Sequence, residues 1–176
     1  MQMQGQLGPD RISAPWRARA TLVLGLLVGV LPLGLPARER PFIMLLAATV
    51  IFFWGAQSRT SLGAPFVFAA GLAADLLTGG PLGYHPVAYL VVLALARFSA
   101  ERGVARSLLG QWLAFATAMA VTVLVAWAMA GFYALTVVPL VPFGETLLIA
   151  FLIYPLVAAL LGLLARVGTP NPAREA

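Results

Sequence analysis

Long apolar segments, separated by short polar or Pro/Gly-containing breaks, are the main pattern of the chain. Six of them approach the roughly 20 apolar residues, usually about 17 to 25, that a helix needs to cross a bilayer. They run over Ala20 to Leu35, Pro41 to Gln57, Leu62 to Thr78, Leu82 to Ser99, Ser107 to Gly131 and Phe143 to Arg166. The pattern predicts an all-α polytopic membrane protein with six transmembrane helices in one bundle.

These segments divide the chain into a polar tail over residues 1–19, a transmembrane domain over 20–166 and a short tail over 167–176. Arg17 and Arg19 precede the first segment, as basic residues precede the apolar region of a signal peptide. No good small-x-small cleavage site follows, and five more apolar segments do. We therefore expect an uncleaved first helix.

Composition agrees with a lipid environment. Hydrophobic residues make up 61% of the chain and charged residues 10%, against about 25% charged in an ordinary soluble domain. There is no cysteine, so disulfides and thiolate metal sites are excluded. The formal charge of +5 could indicate nucleic acid. However, the cationic residues stand singly between apolar runs, so we expect no nucleic-acid partner.

The 11 cationic residues are all arginines, and they predict the orientation of the helices because cytoplasmic loops are rich in Arg and Lys. If the amino terminus is inside, only Arg38 and Arg40 lie on the outer side. The inner side then holds Arg11, Arg17, Arg19, Arg59, Arg97, Arg102, Arg106, Arg166 and Arg174. We expect both termini in the cytoplasm and the loops after the third and fifth helices outside.

Small residues at helical spacing predict close helix packing, because lipid removes the hydrophobic drive between helices and leaves backbone approach to hold them together. The spaced residues are Gly25 with Gly29 on the first helix and Ala158 with Gly162 on the sixth; on the third, Gly63, Gly71 and Asp75 share a stripe with Val67, and Ala70 and Ala74 lie beside it. The apolar fifth connection, "FYALTVVPLVPFGE", is too short to span. We expect it to lie on the outer membrane interface or to pack back onto the bundle.

One carboxylate stands inside an apolar run, in "GLAADLLTGGPLGYH". A charged group at a helix centre costs about 2.5 to 3.5 kcal/mol on insertion scales, so Asp75 should face the bundle interior or a wet cleft. We favour a structural clip that accepts hydrogen bonds from Gly79-Gly80 turn amides, or from Thr78, Tyr84 or His85. Contact with a partner or ligand, and a proton relay, stay open as alternatives.

The block after Asp75 predicts a tight hairpin between the third and fourth helices. Glycine reaches positive φ at little cost, and Pro81 stops the helix. His85, the single histidine, is interpreted as an interfacial polar residue near Tyr84. Glu145 falls at the predicted start of the sixth helix, where a carboxylate suits the positive end of the helix dipole.

Catalysis is not expected. A nucleophile needs a base within reach, and metal-assisted hydrolysis needs clustered ligands. The chain has no cysteine or lysine, and its single histidine has no adjacent serine motif. No phosphate-binding glycine loop is present either, so we expect neither an enzyme nor a cofactor.

The stretch "FVFAAGLAADLLTGGPLGYHPVAYLVV" resembles the signature region of the rod shape-determining MreD family, in which a Gly-Leu-x-x-Asp helix end runs into a glycine-rich turn with Leu-Gly. The matching residues are Gly71, Leu72, Asp75, Gly80, Leu82 and Gly83. The resemblance implies a fold similar to the substrate-binding subunits of energy-coupling-factor transporters. The candidate structural or partner-binding residues are Gly71, Asp75, Gly79, Gly80, Pro81, Leu82, Gly83 and His85.

The resemblance also implies a component of the bacterial inner (cytoplasmic) membrane that supports lateral peptidoglycan synthesis and rod shape. Its expected partners are MreC, RodA with a class B penicillin-binding protein, MreB through the complex, and membrane lipid. The leading hypothesis is thus a non-enzymatic scaffold of the cell-elongation complex. The alternative is a vitamin-binding transporter subunit, in which Asp75, Tyr84, His85 or Glu145 would grip a solute.

Overall fold

The computed structural model describes residues 15–30, 41–57, 62–104 and 107–166, and this part of the chain forms six α-helices and no strand. The helices are α1 (Pro15–Val30), α2 (Pro41–Gln57), α3 (Ala64–Thr78), α4 (Tyr84–Glu101), α5 (Leu108–Ala134) and α6 (Val141–Arg166). The all-α prediction is confirmed for the described residues.

The predicted helix boundaries are right for α2 and shifted elsewhere. α1 begins at Pro15 rather than Ala20, so residues 15–19, assigned to the tail, are helical. Proline suits this first position because its missing N–H has no intrahelical partner there. The predicted end of the first helix at Leu35 and both tails, 1–14 and 167–176, lie outside the described residues.

α2 is the central helix of the bundle. It packs against α1, α4, α5 and α6, while α3 packs against α1 and α4. Every residue from Ala47 to Trp54 is buried, as a helix without a polar face requires. The hydroxyl of Thr49 donates to the Leu45 carbonyl at 2.8 Å, so the helix satisfies its own buried polar group.

Aromatic rings join α2 to the last two helices. The Phe52 ring meets the edges of Phe115 and Tyr154, with ring centroids 5.3 and 5.9 Å apart. Phe115 and Tyr154 stack at 4.0 Å. On the other side of α2, the indole Nε1 of Trp54 donates to the hydroxyl of Thr21 at 3.0 Å. The core therefore depends on contacts between helices that are far apart in sequence.

Close backbone approach occurs at only some of the predicted small-residue positions. A Cβ on Gly71 would lie 2.5 Å from the Pro86 backbone, so α3 and α4 touch there. A Cβ on Gly25 would meet Val50 at an ordinary 3.8 Å, and one on Gly162 would meet nothing within 4 Å. Among the described residues, α1 therefore packs on α2 at Gly25 without close backbone approach, and no neighbour is seen at Gly162, because spacing alone does not fix which helix face meets a neighbour.

Two helical segments are long and apolar enough to cross a membrane by length and composition, Leu108–Ala134 and Val141–Leu164. α1, α2 and α3 have 16, 17 and 15 residues. At about 1.5 Å per residue they are shorter than the roughly 30 Å hydrocarbon core.

The ends of the bundle differ in charge. Arg97 Nη2 donates to the Leu62 carbonyl, just before α3, at 2.7 Å. The Arg19 guanidinium lies over the ring of Phe66 in the first turn of α3. Arg17 Nη1 reaches a carbonyl near the end of α6 at 3.4 Å. The starts of α1 and α3 and the ends of α4 and α6 therefore share one end of the bundle, which we call the arginine end.

The connection from α5 to α6 does not pack back onto the described bundle, because the side chains of Leu135 and Val137 are 88% and 92% exposed; its placement on the outer membrane interface stays a prediction. The indole Nε1 of Trp127 donates to the Val138 carbonyl at 3.0 Å. Leu135, which ends α5, adopts φ 52°. α6 begins at Val141, so Glu145 lies beyond its first turn and is exposed. The prediction that Glu145 caps this helix is wrong.

Candidate functional site

α3 ends in a glycine turn that is closed by main-chain hydrogen bonds. Gly79 adopts φ 64°, and its N–H donates to the carbonyl of Asp75. The N–H of Gly80 donates to the same carbonyl at 3.2 Å. The Thr78 hydroxyl donates to the Ala74 carbonyl at 2.8 Å. These bonds satisfy carbonyls that the end of a helix would otherwise leave without donors.

The side chain of Asp75 caps the next helix. Its Oδ2 accepts the N–H of Gly83 at 2.6 Å, and its Oδ1 accepts the N–H of His85 at 3.0 Å. Gly83, the residue before α4, has no side chain to cap the helix itself. The first amides of a helix need acceptors, and an anion there is also stabilised by the helix dipole. The Asp75 carboxylate on α3 therefore caps the first amides of α4. A Ser or Asp at the N-cap position of the same helix usually has this role.

The imidazole of His85 completes the contact. Its Nδ1 lies 2.6 Å from Asp75 Oδ1. An ionised carboxylate accepts hydrogen bonds and donates none, so in this arrangement the hydrogen is on Nδ1. Asp75 is 1% exposed and His85 7% exposed. We call this group, Asp75 with Gly83 and His85, the Asp75 clasp.

Gly71 makes the clasp possible. It lies one helical turn before Asp75, where the backbones of α3 and α4 are in contact at Pro86. The aspartate side chain is short, so its oxygens reach the amides of α4 only if the two helices approach this closely. A larger residue at position 71 would separate them.

One further contact holds the hairpin, which comprises residues 79–83, and ring contacts within α4 hold the His85 side chain. The Tyr133 hydroxyl on α5 donates to the Leu82 carbonyl at 3.1 Å. The ring of His85 packs edge-on against those of Tyr84 and Tyr89, at 5.3 and 5.8 Å. The side chain of Leu82 is left 62% exposed. The hairpin is thus held by Asp75 of α3 and Tyr133 of α5 and presents an apolar side chain outward.

All eight predicted site residues lie in this one region: Gly71, Asp75, Gly79, Gly80, Pro81, Leu82, Gly83 and His85. The expected hydrogen bond from His85 to Asp75 is present. The expected bonds from the Gly79-Gly80 amides are not, because those amides bind the main-chain carbonyl of Asp75. His85 lies against Tyr84, as expected, and is buried in the bundle; its level relative to a membrane interface stays a prediction.

Sequence reasoning missed two features of the site. Gly83 is a donor to the carboxylate, and its φ of 97° requires glycine. The position of Gly83 two residues before His85 could have indicated this, since the amides of both open the same helix. The contribution of Tyr133 had no such signal, because its contact with Leu82 joins positions 51 residues apart.

A recess of about 360 Å³ between α5 and α6 is apolar. It is lined by Ala116, Gly144, Leu147, Leu148 and Phe151. Among the described residues, no three His, Asp or Glu side chains are grouped as metal ligands are. Both carboxylate oxygens of Asp75 accept hydrogen bonds from the start of α4. The Asp75 clasp therefore holds α3 and α4 together.

Comparison of the chain with protein-family models, with curated proteins and with solved structures gives no match.

Proposed function

We propose that this protein is a non-enzymatic, multi-pass scaffold of the bacterial inner membrane, with six transmembrane helices and both termini in the cytoplasm. In this role it binds MreC within the cell-elongation complex and so supports lateral peptidoglycan synthesis and rod shape. The likeness of Phe66 to Val92 to the MreD signature supports the family assignment.

The observation that carries the proposal is the Asp75 clasp. A buried carboxylate that fixes the start of α4 makes the hairpin rigid, and a rigid surface loses little conformational entropy when it binds. Leu82 stands 62% exposed on that hairpin. We therefore assign the hairpin as the contact for the apolar segment of MreC next to its membrane helix.

The charge division along the bundle supports the proposed orientation. The described arginine side chains lie toward the arginine end, and the hairpin lies at the opposite end. Arginine-rich ends face the cytoplasm in membrane proteins. The hairpin then faces outward, where the extracytoplasmic part of MreC begins.

The test is co-purification of MreC in mild detergent, with mass spectrometry of everything captured. Leu82→Ala should lower MreC capture severalfold without lowering the melting temperature, because the side chain is exposed and only the contact is lost. Leu160→Ala, on an equally exposed residue of α6 (57%), is the matched control and should capture MreC normally. Equal capture by wild type and Leu82→Ala would remove the hairpin from the interface.

Two outcomes would oppose the scaffold function as a whole. One is wild-type protein that captures no MreC when both are co-expressed. The other is a tightly bound vitamin in the purified protein, which would favour the transporter-subunit alternative.

A further inference from the structure

α6 contains a proline in its interior, Pro155. Proline has no N–H, so the carbonyl of Phe151, four residues earlier, lacks its intrahelical donor. The indole Nε1 of Trp112 on α5 donates to this carbonyl at 2.9 Å. Prolines are tolerated in membrane-spanning helices where a neighbouring helix supplies the missing bond. The bond that α6 lacks at Pro155 is therefore replaced from α5.

The Trp112 contact lies at the edge of the recess between α5 and α6. The Trp112 ring also stacks on that of Phe151, with centroids 4.5 Å apart and an angle of 22° between the planes. Phe151 lines the recess, together with Ala116, one turn after Trp112. Phe151 is therefore fixed by Trp112 and borders a recess of about 360 Å³, so the described side chains leave it room to move.

The residue before Pro155 carries a buried hydroxyl group. Tyr154 is 2% exposed, and its ring stacks on that of Phe115 at 4.0 Å. Its hydroxyl oxygen is buried and has no hydrogen-bond partner among the described residues. A buried polar group in this state costs free energy. The observed arrangement of α6 therefore carries a penalty next to the proline, and a different arrangement that gives the hydroxyl a partner would relieve it.

We propose that Pro155 is a hinge in α6 and that Trp112 is the latch that holds it. With the latch bond made, α6 runs as one helix. Without it, the Phe151 carbonyl has no donor, and residues 156–166 pivot at the proline, where helices bend most readily. The two arrangements lie close in free energy, because the observed one makes the Trp112 bond but leaves the Tyr154 hydroxyl unbonded within the described residues. The hinge lies outside the hairpin and goes beyond the proposed scaffold function.

The experiment measures the distance from α3 to each half of α6 in the full chain, by electron spin resonance of paired labels. The chain has no cysteine, so labels attach only at introduced ones. Phe68→Cys with Leu163→Cys reports on the carboxyl-terminal half of α6, and Phe68→Cys with Leu148→Cys reports on the other half. The three side chains are 49%, 60% and 60% exposed. Trp112→Phe should raise the population of a second, displaced distance about tenfold for the Leu163 pair and leave the Leu148 pair unchanged.

Two substitutions at the hinge supply matched controls. Tyr154→Phe removes the unbonded hydroxyl and should lower the displaced population, the opposite of Trp112→Phe. Pro155→Ala restores an N–H for the Phe151 carbonyl, so adding Trp112→Phe to it should leave the Leu163 pair unchanged. Trp112→Phe loses the same ring area in both backgrounds, so the comparison isolates the hydrogen bond.

Equal Leu163 distances in wild type and Trp112→Phe would overturn the latch. A change that persists in the Pro155→Ala background would assign it to lost ring packing and refute the hinge. Displacement of the Leu148 pair together with the Leu163 pair would show that all of α6 moves, and would also refute it. If Trp112→Phe does not fold, Pro155→Ala alone decides: it should remove the displaced distance that wild type shows, and an unchanged Leu163 pair would refute the hinge.

Discussion

Oδ1 of Asp75 on α3 accepts hydrogen bonds from both the main-chain N–H and the ring Nδ1 of His85 on α4, at 3.0 and 2.6 Å. One oxygen thus fixes the backbone and the side chain of the same residue. The other oxygen holds Gly83, two residues earlier. The start of α4 therefore has little freedom relative to the end of α3, and the hairpin between them has a defined shape.

Asp75→Asn should destabilise the protein by about 1 to 3 kcal/mol. Whichever way the amide is turned, its NH₂ group faces either the buried N–H of His85 or the partly buried N–H of Gly83, which then lacks an acceptor. Unfolding of the detergent-solubilised protein, followed by tryptophan fluorescence, measures the change. Glu145→Gln makes the same chemical change on an exposed side chain and should alter stability by less than about 0.5 kcal/mol. Similar losses in both variants would contradict the clasp.

Gly71→Ala should cost about 1 to 3 kcal/mol, as overpacking does in well-packed cores. The new methyl would lie 2.5 Å from backbone atoms of Pro86, which have no side-chain freedom to move away. Gly162→Ala is the control, because its methyl meets nothing within 4 Å and alanine favours a helix. The same unfolding assay should show a loss for the first variant and no loss for the second.

Gly83→Ala should destabilise the hairpin by about 1 to 2 kcal/mol, because an L-residue is strained at positive φ. Gly83 adopts φ 97°, whereas Gly80 is not among the described glycines with positive φ. Gly80→Ala should therefore change stability by less than about 0.5 kcal/mol, since the nearest atom to its methyl is a side-chain oxygen at 3.4 Å. Melting temperatures of the two variants, compared at equal expression, test the difference. Equal melting temperatures would refute the role of backbone conformation.

Cysteine labelling in intact cells should place the hairpin and the arginine end on opposite sides of the membrane. The natural chain contains no cysteine, so each introduced thiol is the sole target. Leu82→Cys, at an exposed position, should react with a membrane-impermeant maleimide from outside. Arg102→Cys should react only after permeabilisation. Labelling of both from the same side would exclude the proposed orientation.

The sequence predicted the helices well where a break is chemically sharp. Proline is favoured at the first position of a helix, and α2 starts at Pro41 as expected. The start of α4 was placed two residues early because Leu82 is apolar. In the structure Leu82 belongs to the turn, and only the positive φ of Gly83 separates it from the helix. Hydropathy does not contain that information.

The site could be predicted in part for a related reason. Burying a carboxylate in an apolar helix costs free energy unless hydrogen-bond donors surround it. A hydrogen-bonding role for Asp75 therefore followed from its position in the sequence. Which amides supply the donors depends on how α4 returns against α3. That return is set by the contact of Gly71 with Pro86, a tertiary contact that residue spacing does not encode.

The enclosure of α2 has a consequence for biosynthesis. α2 is translated before α5 and α6, yet the Phe52 ring packs against Phe115 on α5 and Tyr154 on α6. Before α5 and α6 are translated, the side of α2 that carries Phe52 lacks these aromatic contacts. Translation of α6, rather than the formation of α2 itself, is therefore the step that completes the aromatic centre of the described bundle.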